Sequence, residues 1–320
     1  MQKQDQTIIE KFNIPEELKG LRIDQAIAKL LPDYSRSQLQ KWLLSGAILV
    51  NNQQVNLKKK VQGGELVELN ATIVPEQRWE AQALPLDIIY QDDEIAVINK
   101  PADLVTHPGA GNADGTLVNA LLHHIPETQT LARAGIIHRL DKETSGLLVV
   151  AKTLHAHNAL TKALQAREIH REYECIVQGK LISGGTIDEP IGRHPKNRLQ
   201  QAVITSGKPA VTHYRIIERF QHYTHLKVIL ETGRTHQIRV HMAHIGFPIV
   251  GDPLYGGRKR TPKNLPVELK TVVNDFKRQA LHAKRLILTN PSTGEKQTFI
   301  APAPADFMAL LNQLKEYDAC

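Results

Sequence analysis

Apolar and polar side chains recur at two different periods along this chain, and the switch between periods marks its elements. Over residues 24–31 (DQAIAKLL), Ala26, Ile27, Leu30 and Leu31 fall at helical spacing, and Pro32 stops the run. Ser35 then stands as N-cap of a second helix over residues 36–44, which Gly46 ends. Strand patterns follow: ILV at 48–50, an Asn-Asn turn, QQV at 53–55, and GGELVEL as a third short strand. The first seventy-odd residues predict a small module of two helices and a sheet.

Periodicity is lost over residues 74–86 (VPEQRWEAQALPL), which contain two prolines and read as a linker. From Asp87 onward strand patterns dominate: LDIIY, EIAVINK, GLLVVAK, EYECIV, THYRII, HLKVILE, RLILT and KQTFIA. Helical spacing returns at 116–124, 154–166, 236–245 and 305–314. Runs of strands with interspersed helices predict an α+β domain with a mixed, largely antiparallel sheet, not a doubly wound one.

Length agrees with two domains, since 320 residues exceed the usual size of a single core. With 41% hydrophobic and 23% charged residues, the composition is that of a folded chain. No apolar run approaches the ~20 residues of a spanning helix. The N-terminus, MQKQDQTIIE, lacks an apolar signal core. The expectation is a cytoplasmic protein without a membrane partner. Cys175 and Cys320 are too few for a disulfide framework or a four-thiolate zinc site.

Net charge is only +7, from 40 basic and 33 acidic residues, so its distribution matters more than its size. Between Glu189 and Glu218 there is no acid, but there are Arg193, Lys196, Arg198, Lys208 and Arg215. Between Glu231 and Asp252, likewise acid-free, stand Arg234, His236, Arg239, His241 and His244. Arg258, Lys259, Arg260 and Lys263 follow in a glycine-flanked loop. Carboxylate-free stretches suit a polyphosphate backbone, and they make nucleic acid the leading partner class.

Cofactor motifs are absent. Gly179-Lys180 and Gly207-Lys208 lack the following Ser or Thr of a phosphate loop, and the glycines of PGAGNADG (108–115) are out of step with a dinucleotide fingerprint. Neither a nucleotide nor any other cofactor is expected. His236, His241 and His244 invite a zinc reading, but Arg239 among them opposes a cation. The densest polar segment is GIIHRLDKETSGLLVVAKT (135–153), where two apolar strands flank His138, Arg139, Asp141, Lys142, Glu143, Thr144 and Ser145. Asp141 at a strand end is either a reacting carboxylate or an Asx-turn cap of its own loop.

HRLDKETSG, together with GRTHQIRVHMAHIGFPIVGDPLYG (233–256) and NKPADLVTHPGAG (99–111), resembles the RluA-type family of RNA pseudouridine synthases. LRIDQAIAKLLPDYSRSQLQKWLLSGAILVNNQQV resembles an S4 RNA-binding domain. The likeness runs from about Leu18 to the last helix. Two departures are slight: Glu143 stands where Asp is more usual, and Asp103 where many relatives have Gly. The resemblance implies an N-terminal extension (1–17), an S4-like domain (18–74), a linker (75–86) and a catalytic domain (87–320). It also implies isomerisation of uridines in large-subunit (23S) rRNA, several of them in the helix 69 loop, in support of ribosome assembly.

By the same resemblance Asp141 is the reacting carboxylate and Arg239 its paired cation. Tyr173 matches the residue that stacks on the flipped base and serves in removing the C5 proton, Ile238 supplies an apolar wall, and Arg139 assists eversion. From the residues alone, Tyr173 is also a buried strand tyrosine and Arg139 a phosphate contact. In the S4-like module Arg22, Arg36, Lys41, Lys58, Lys59 and Lys60 are the phosphate-contact candidates, or else a solvated face. The implied partner is ribosomal RNA or a large-subunit assembly particle, bound by a monomer. Competing readings are a non-catalytic RNA-binding protein and a metal-dependent hydrolase.

Overall fold

The structure, a computed structural model, describes residues 6–32, 34, 36–73, 79–109, 111–257 and 265–319. Ser35, Pro75, Cys320 and the loop cations Arg258, Lys259, Arg260 and Lys263 lie outside the described residues. The chain divides into two units, the first ending at Arg78 and the second beginning at Trp79.

In the N-terminal unit, β1 (Gln6–Asn13), α1 (Ile23–Leu30), α2 (Arg36–Ser45), β2 (Ile48–Val50) and β3 (Leu66–Ile73) follow in order. Ile23, Ala26 and Ile27 of α1 and Leu39, Trp42 and Leu43 of α2 are buried, the apolar stripes that helical spacing creates. They pack on Ile48, Val50, Val67, Leu69 and Ala71, which alternate along β2 and β3. Asn51 and Asn52 hold φ of 51° and 60°, the conformation a two-residue hairpin turn requires. The sheet order is β1-β3-β2, antiparallel throughout. Residues 6–13, read from sequence as part of an extension, pair with β3 along their whole length. Their pattern hid this, because Ile8 and Ile9 are adjacent and Ile9 stays exposed. QQV supplies only a bridge from Gln53 to Val50.

The second unit is built on a nine-stranded sheet. Its elements are β4 (Ile88–Gln91), β5 (Ile95–Lys100), α3 (Leu117–His124), β6 (Ser145–Ala151), α4 (Leu154–Gln165), β7 (His170–Gln178), β8 (Gly185–Asp188), β9 (Ile191–Arg193) and β10 (Gln201–Val203). They continue with β11 (Val211–Arg219), β12 (Tyr223–Leu230), α5 (Gln237–His244), α6 (Val267–Asp275), β13 (Leu281–Thr289), β14 (Lys296–Ile300) and α7 (Ala305–Tyr317). The order is β4-β5-β6-β13-β7-β12-β11-β8, with β14 paired to β13 and β9-β10 forming a separate ribbon. Among the described residues only the β6–β13 pair is parallel, so the mixed, largely antiparallel sheet is as expected.

Both faces of the central strands are covered, which is why β6 reads as an unbroken apolar run. Leu148 and Val150 join one core cluster with α3 and α7, and Leu147, Val149 and Ala151 join another with α4. At the start of β6, a Cβ on Gly146 would stand 2.3 Å from the Ala283 carbonyl oxygen, so only glycine lets β13 approach there. The latter part of the expected linker belongs to this unit. Glu80 and Gln82 exchange hydrogen bonds with Asn119 of α3, and Trp79 packs on the core. Among the described residues, no helix is long and apolar enough to cross a membrane.

Candidate active site

Three segments converge at the start of β6: the 136–144 loop, the first turn of α5, and the turn at 252–255. The first departs from expectation. Residues 137–141 are loop rather than strand, and Ile136 makes only a single bridge to Val150. The loop is closed by the Asp141 backbone carbonyl, which accepts from Thr144 N–H at 3.0 Å. The Leu140 carbonyl accepts from the Thr106 hydroxyl at 2.8 Å. The Asp141 carboxylate is therefore not spent on an Asx-turn. Its Oδ2 accepts from Arg239 Nη1 at 3.0 Å, and its Oδ1 lies 3.9 Å from His236 Nε2.

Arg239 is buried and bridges two carboxylates. Nε and Nη2 donate to the two oxygens of Asp252 at 2.7 and 3.0 Å, leaving Nη1 for Asp141. Asp252 Oδ1 also accepts from the N–H groups of Leu254 and Tyr255, so the turn itself orients it. The Tyr255 ring lies 5.0 Å beneath the guanidinium. Its hydroxyl meets His236 Nδ1 and Gln201 N–H, each at 2.8 Å. Burial works against the Arg239 charge, but Asp252 and Asp141 outweigh it and raise the group above its ordinary value. Burial lowers the His236 imidazole below its ordinary value, and the Asp141 charge acts in the opposite direction.

Beneath the loop lies Lys100, fully buried at the end of β5. Its Nζ donates to the carbonyls of Pro101, Leu104 and Lys142 at 2.6, 3.0 and 3.0 Å. Burial pulls its value down to about 7, with Glu143 and Asp141 acting in the opposite direction. Tyr173 on β7 is buried in the same apolar cluster as Ile238. Burial raises its hydroxyl; the Arg171 charge opposes this and that of Asp141 adds to it.

The comparisons with known proteins agree with one another. Residues 94–244 match the RNA pseudouridylate synthase family, and residues 21–67 match the S4 domain. Ribosomal large subunit pseudouridine synthase D of Pasteurella multocida (strain Pm70) is 55% identical over 297 residues, 92% of each chain. The synthase D of Escherichia coli (strain K12) is 53% identical over 303 residues, 94% of this chain and 93% of its own. The chain belongs to the RNA pseudouridylate synthase family. Its fold matches a solved member, Human RNA Pseudouridylate Synthase Domain Containing 4, at 25% identity and a TM-score of 0.56 over 72% of this chain and 93% of that one.

As a pseudouridine synthase the protein is an isomerase, and the catalytic-domain residues singled out from sequence gather around one loop. Asp141 and Arg239 are in direct contact; Tyr173 and Ile238 are buried in one apolar cluster. Arg139 is exposed, and its charge reaches His107 and His236. The three histidines that invite a zinc reading do not converge. His236 faces Asp141 and Tyr255, His244 is exposed, and His241 is buried with its nitrogens meeting the Thr212 hydroxyl and the Glu189 carbonyl. Among the described residues, no group of three or more His, Cys, Asp or Glu side chains is placed to hold a metal.

In the S4 domain, Arg22 and Arg36 both turn inward to the buried Asp24, Arg36 Nη2 at 2.6 Å and Arg22 Nε at 3.0 Å, and Gln40 joins them. Lys58, Lys59 and Lys60 are exposed beside them, since Ile23 N–H donates to the Lys59 carbonyl. Sequence reasoning missed Lys100, Asp252 and Tyr255 as parts of the candidate site. The signal for the last two was GDPLYG, whose Asp and Tyr lie three residues apart. Asp103 holds φ of 66°, a left-handed conformation that glycine adopts without strain, and its Oδ1 pairs with Lys142 Nζ at 2.9 Å.

Proposed function

We propose that the protein converts uridines of large-subunit ribosomal RNA to pseudouridine, with Asp141 as the reacting carboxylate. The observation that carries this reading is the Asp141–Arg239–Asp252 chain: a partly open carboxylate held by a buried cation that a second, turn-locked carboxylate neutralises. The reaction breaks the N1–C1′ bond and forms C5–C1′, releasing the C5 proton while N1 takes one up. It needs no redox partner and no group donor. Asp141 either attacks C1′ to form a glycosyl ester or removes the C2′ proton to form a glycal. Either way its negative charge has to persist where water is displaced, and Arg239 supplies the counter-charge there.

The target uridine has to leave its stack before C1′ becomes accessible. Arg139, exposed two residues before Asp141, fits the space the base vacates. Tyr173 and Ile238 take the everted base between them. Burial raises the Tyr173 hydroxyl above its ordinary value, and its ring forms a wall for the base. The substrate assignment rests on the relatives' described activity on the ribosomal large subunit. Within that RNA the helix 69 loop, with several uridines in unpaired positions, is the expected target. The S4 domain adds affinity by tethering.

Tritium release from C5-labelled uridine in large-subunit rRNA tests the reading, comparing wild type with Asp141→Asn while binding is measured on the same RNA. Release by the wild type, lost in the variant with binding retained, is the expected result. Undiminished release by Asp141→Asn rejects the carboxylate's role, and tight binding without release by either protein favours a non-catalytic RNA-binding protein.

A further inference from the structure

The backbone that follows Asp141 is held by side chains from outside the loop. Lys100 Nζ takes the Lys142 carbonyl at 3.0 Å. Arg278 Nη1 takes the next carbonyl, that of Glu143, at 3.3 Å. Gln279 Nε2 donates to the Thr144 hydroxyl at 3.0 Å. Arg278 is buried just before β13, and its Nη1 also donates to the Gln279 carbonyl at 3.2 Å. Its other two nitrogens grip one carboxylate, Nε to Asp306 Oδ2 at 2.6 Å and Nη2 to Asp306 Oδ1 at 2.8 Å. The Phe276 ring lies 5.1 Å from the guanidinium.

Asp306 sits in the first turn of α7, whose Phe307, Leu310 and Leu314 are fully buried. The helix is thus set rigidly in the core, and its carboxylate fixes the orientation of Arg278. A bidentate pair has one geometry, so the remaining Nη1 points one way, at the loop. Asp141 is two residues from the carbonyl so held. Its own side chain meets Arg239, which is anchored separately through Asp252. The reacting carboxylate is therefore located by two independent braces, one on its side chain and one on its backbone.

We propose that Arg278, oriented by Asp306 of the last helix, is a positioning residue that sets the Asp141 loop for the isomerisation. This rests on the reading of Asp141 as the reacting carboxylate. Arg278 touches neither base nor sugar. Its contribution lies in where Asp141 stands against C1′, and a misplacement of an ångström at a reacting group costs on the order of a hundred-fold in rate.

The test compares single-turnover rates at saturating rRNA with RNA dissociation constants for Arg278→Met, Asp306→Asn and the double variant, in the full-length protein, corrected for folded fraction by circular dichroism. For Arg278→Met the rate should fall about thirty-fold or more while RNA affinity stays within about two-fold. Asp306→Asn, at a half-exposed side chain and of unchanged volume, should lose about five-fold in rate at the same affinity. The double variant should be no slower than Arg278→Met, because Asp306 acts through Arg278. Wild-type rate and affinity in Asp306→Asn overturn the proposal, and decide it even where Arg278→Met folds poorly. Losses that multiply in the double variant, or that appear in affinity rather than rate, overturn it too. Asp141→Asn runs alongside: release from that variant rejects the Asp141 reading, whereas an inactive Asp141→Asn beside fully active Arg278 and Asp306 variants rejects the brace alone.

Discussion

His138 opens the HRLD segment and is buried beneath β6, where Val149 N–H donates to its Nε2 at 3.3 Å. An acceptor nitrogen carries no proton, and burial with the nearby Arg171 charge holds the ring neutral, down at about 3 against an ordinary 6.5. As pH falls the unfolded chain takes this proton first. The stability that depends on neutral His138 is therefore complete above about pH 6.5 and is lost progressively toward pH 3, at about 1.4 kcal/mol per pH unit. By pH 5 the loss from this group is about 2 kcal/mol. In urea titrations at pH 7 and pH 5, His138→Gln, which retains an acceptor for Val149, should lose about 2 kcal/mol less than wild type. Equal losses in both proteins would show that His138 is not the group that titrates.

At the scale of elements, α1 and α2 are joined through Asp24, whose buried carboxylate accepts from Arg22, Arg36 and Gln40. Arg36 is thus a structural partner before it is a phosphate ligand. Arg36→Ala leaves a buried charge short of its nearest cation. Hydrogen exchange should show amide protection in α1 and α2 falling on the order of ten-fold, with β5, β6 and β7 unchanged. Unchanged protection in α1 and α2 would mean that Arg22 and Gln40 suffice. Period decided how much of this was readable from sequence. The stripes of α1 and the runs of β5, β6 and β12 are regular enough to read directly, whereas β8, β9 and β10 are too short to show alternation, and α6 follows residues without a clear cap. Asp24 carries a helix-surface charge in sequence and becomes an ion-pair centre only once the two helices cross. The candidate site divides the same way. Asp141 and Arg239 stand in long polar motifs, whereas Lys100 and Arg278 act through backbone carbonyls brought to them by folding, a relation no motif spells out.

For the whole molecule, the cations expected to meet RNA divide into those already paired within the fold and those left exposed. Around Asp141 the charges are paired: Arg239 serves Asp252 and Asp141, and Lys142 meets Asp103. In the S4 domain Arg22 and Arg36 are likewise engaged with Asp24, so the clearest probe of phosphate contact there is the exposed run of Lys58, Lys59 and Lys60. Each phosphate neutralised releases counterions, and its loss flattens the dependence of log K on log salt by roughly 0.7 to 0.9. Lys58→Gln, Lys59→Gln and Lys60→Gln together should therefore reduce that slope by about 2 and weaken rRNA binding most at low salt. The single-turnover rate on saturating RNA should stay within about two-fold of wild type, because tethering supplies affinity without touching the reacting atoms. A slope equal to wild type would remove these lysines from the RNA interface. A fall in the saturated rate would mean that the S4 domain also sets how the target uridine is presented to Asp141.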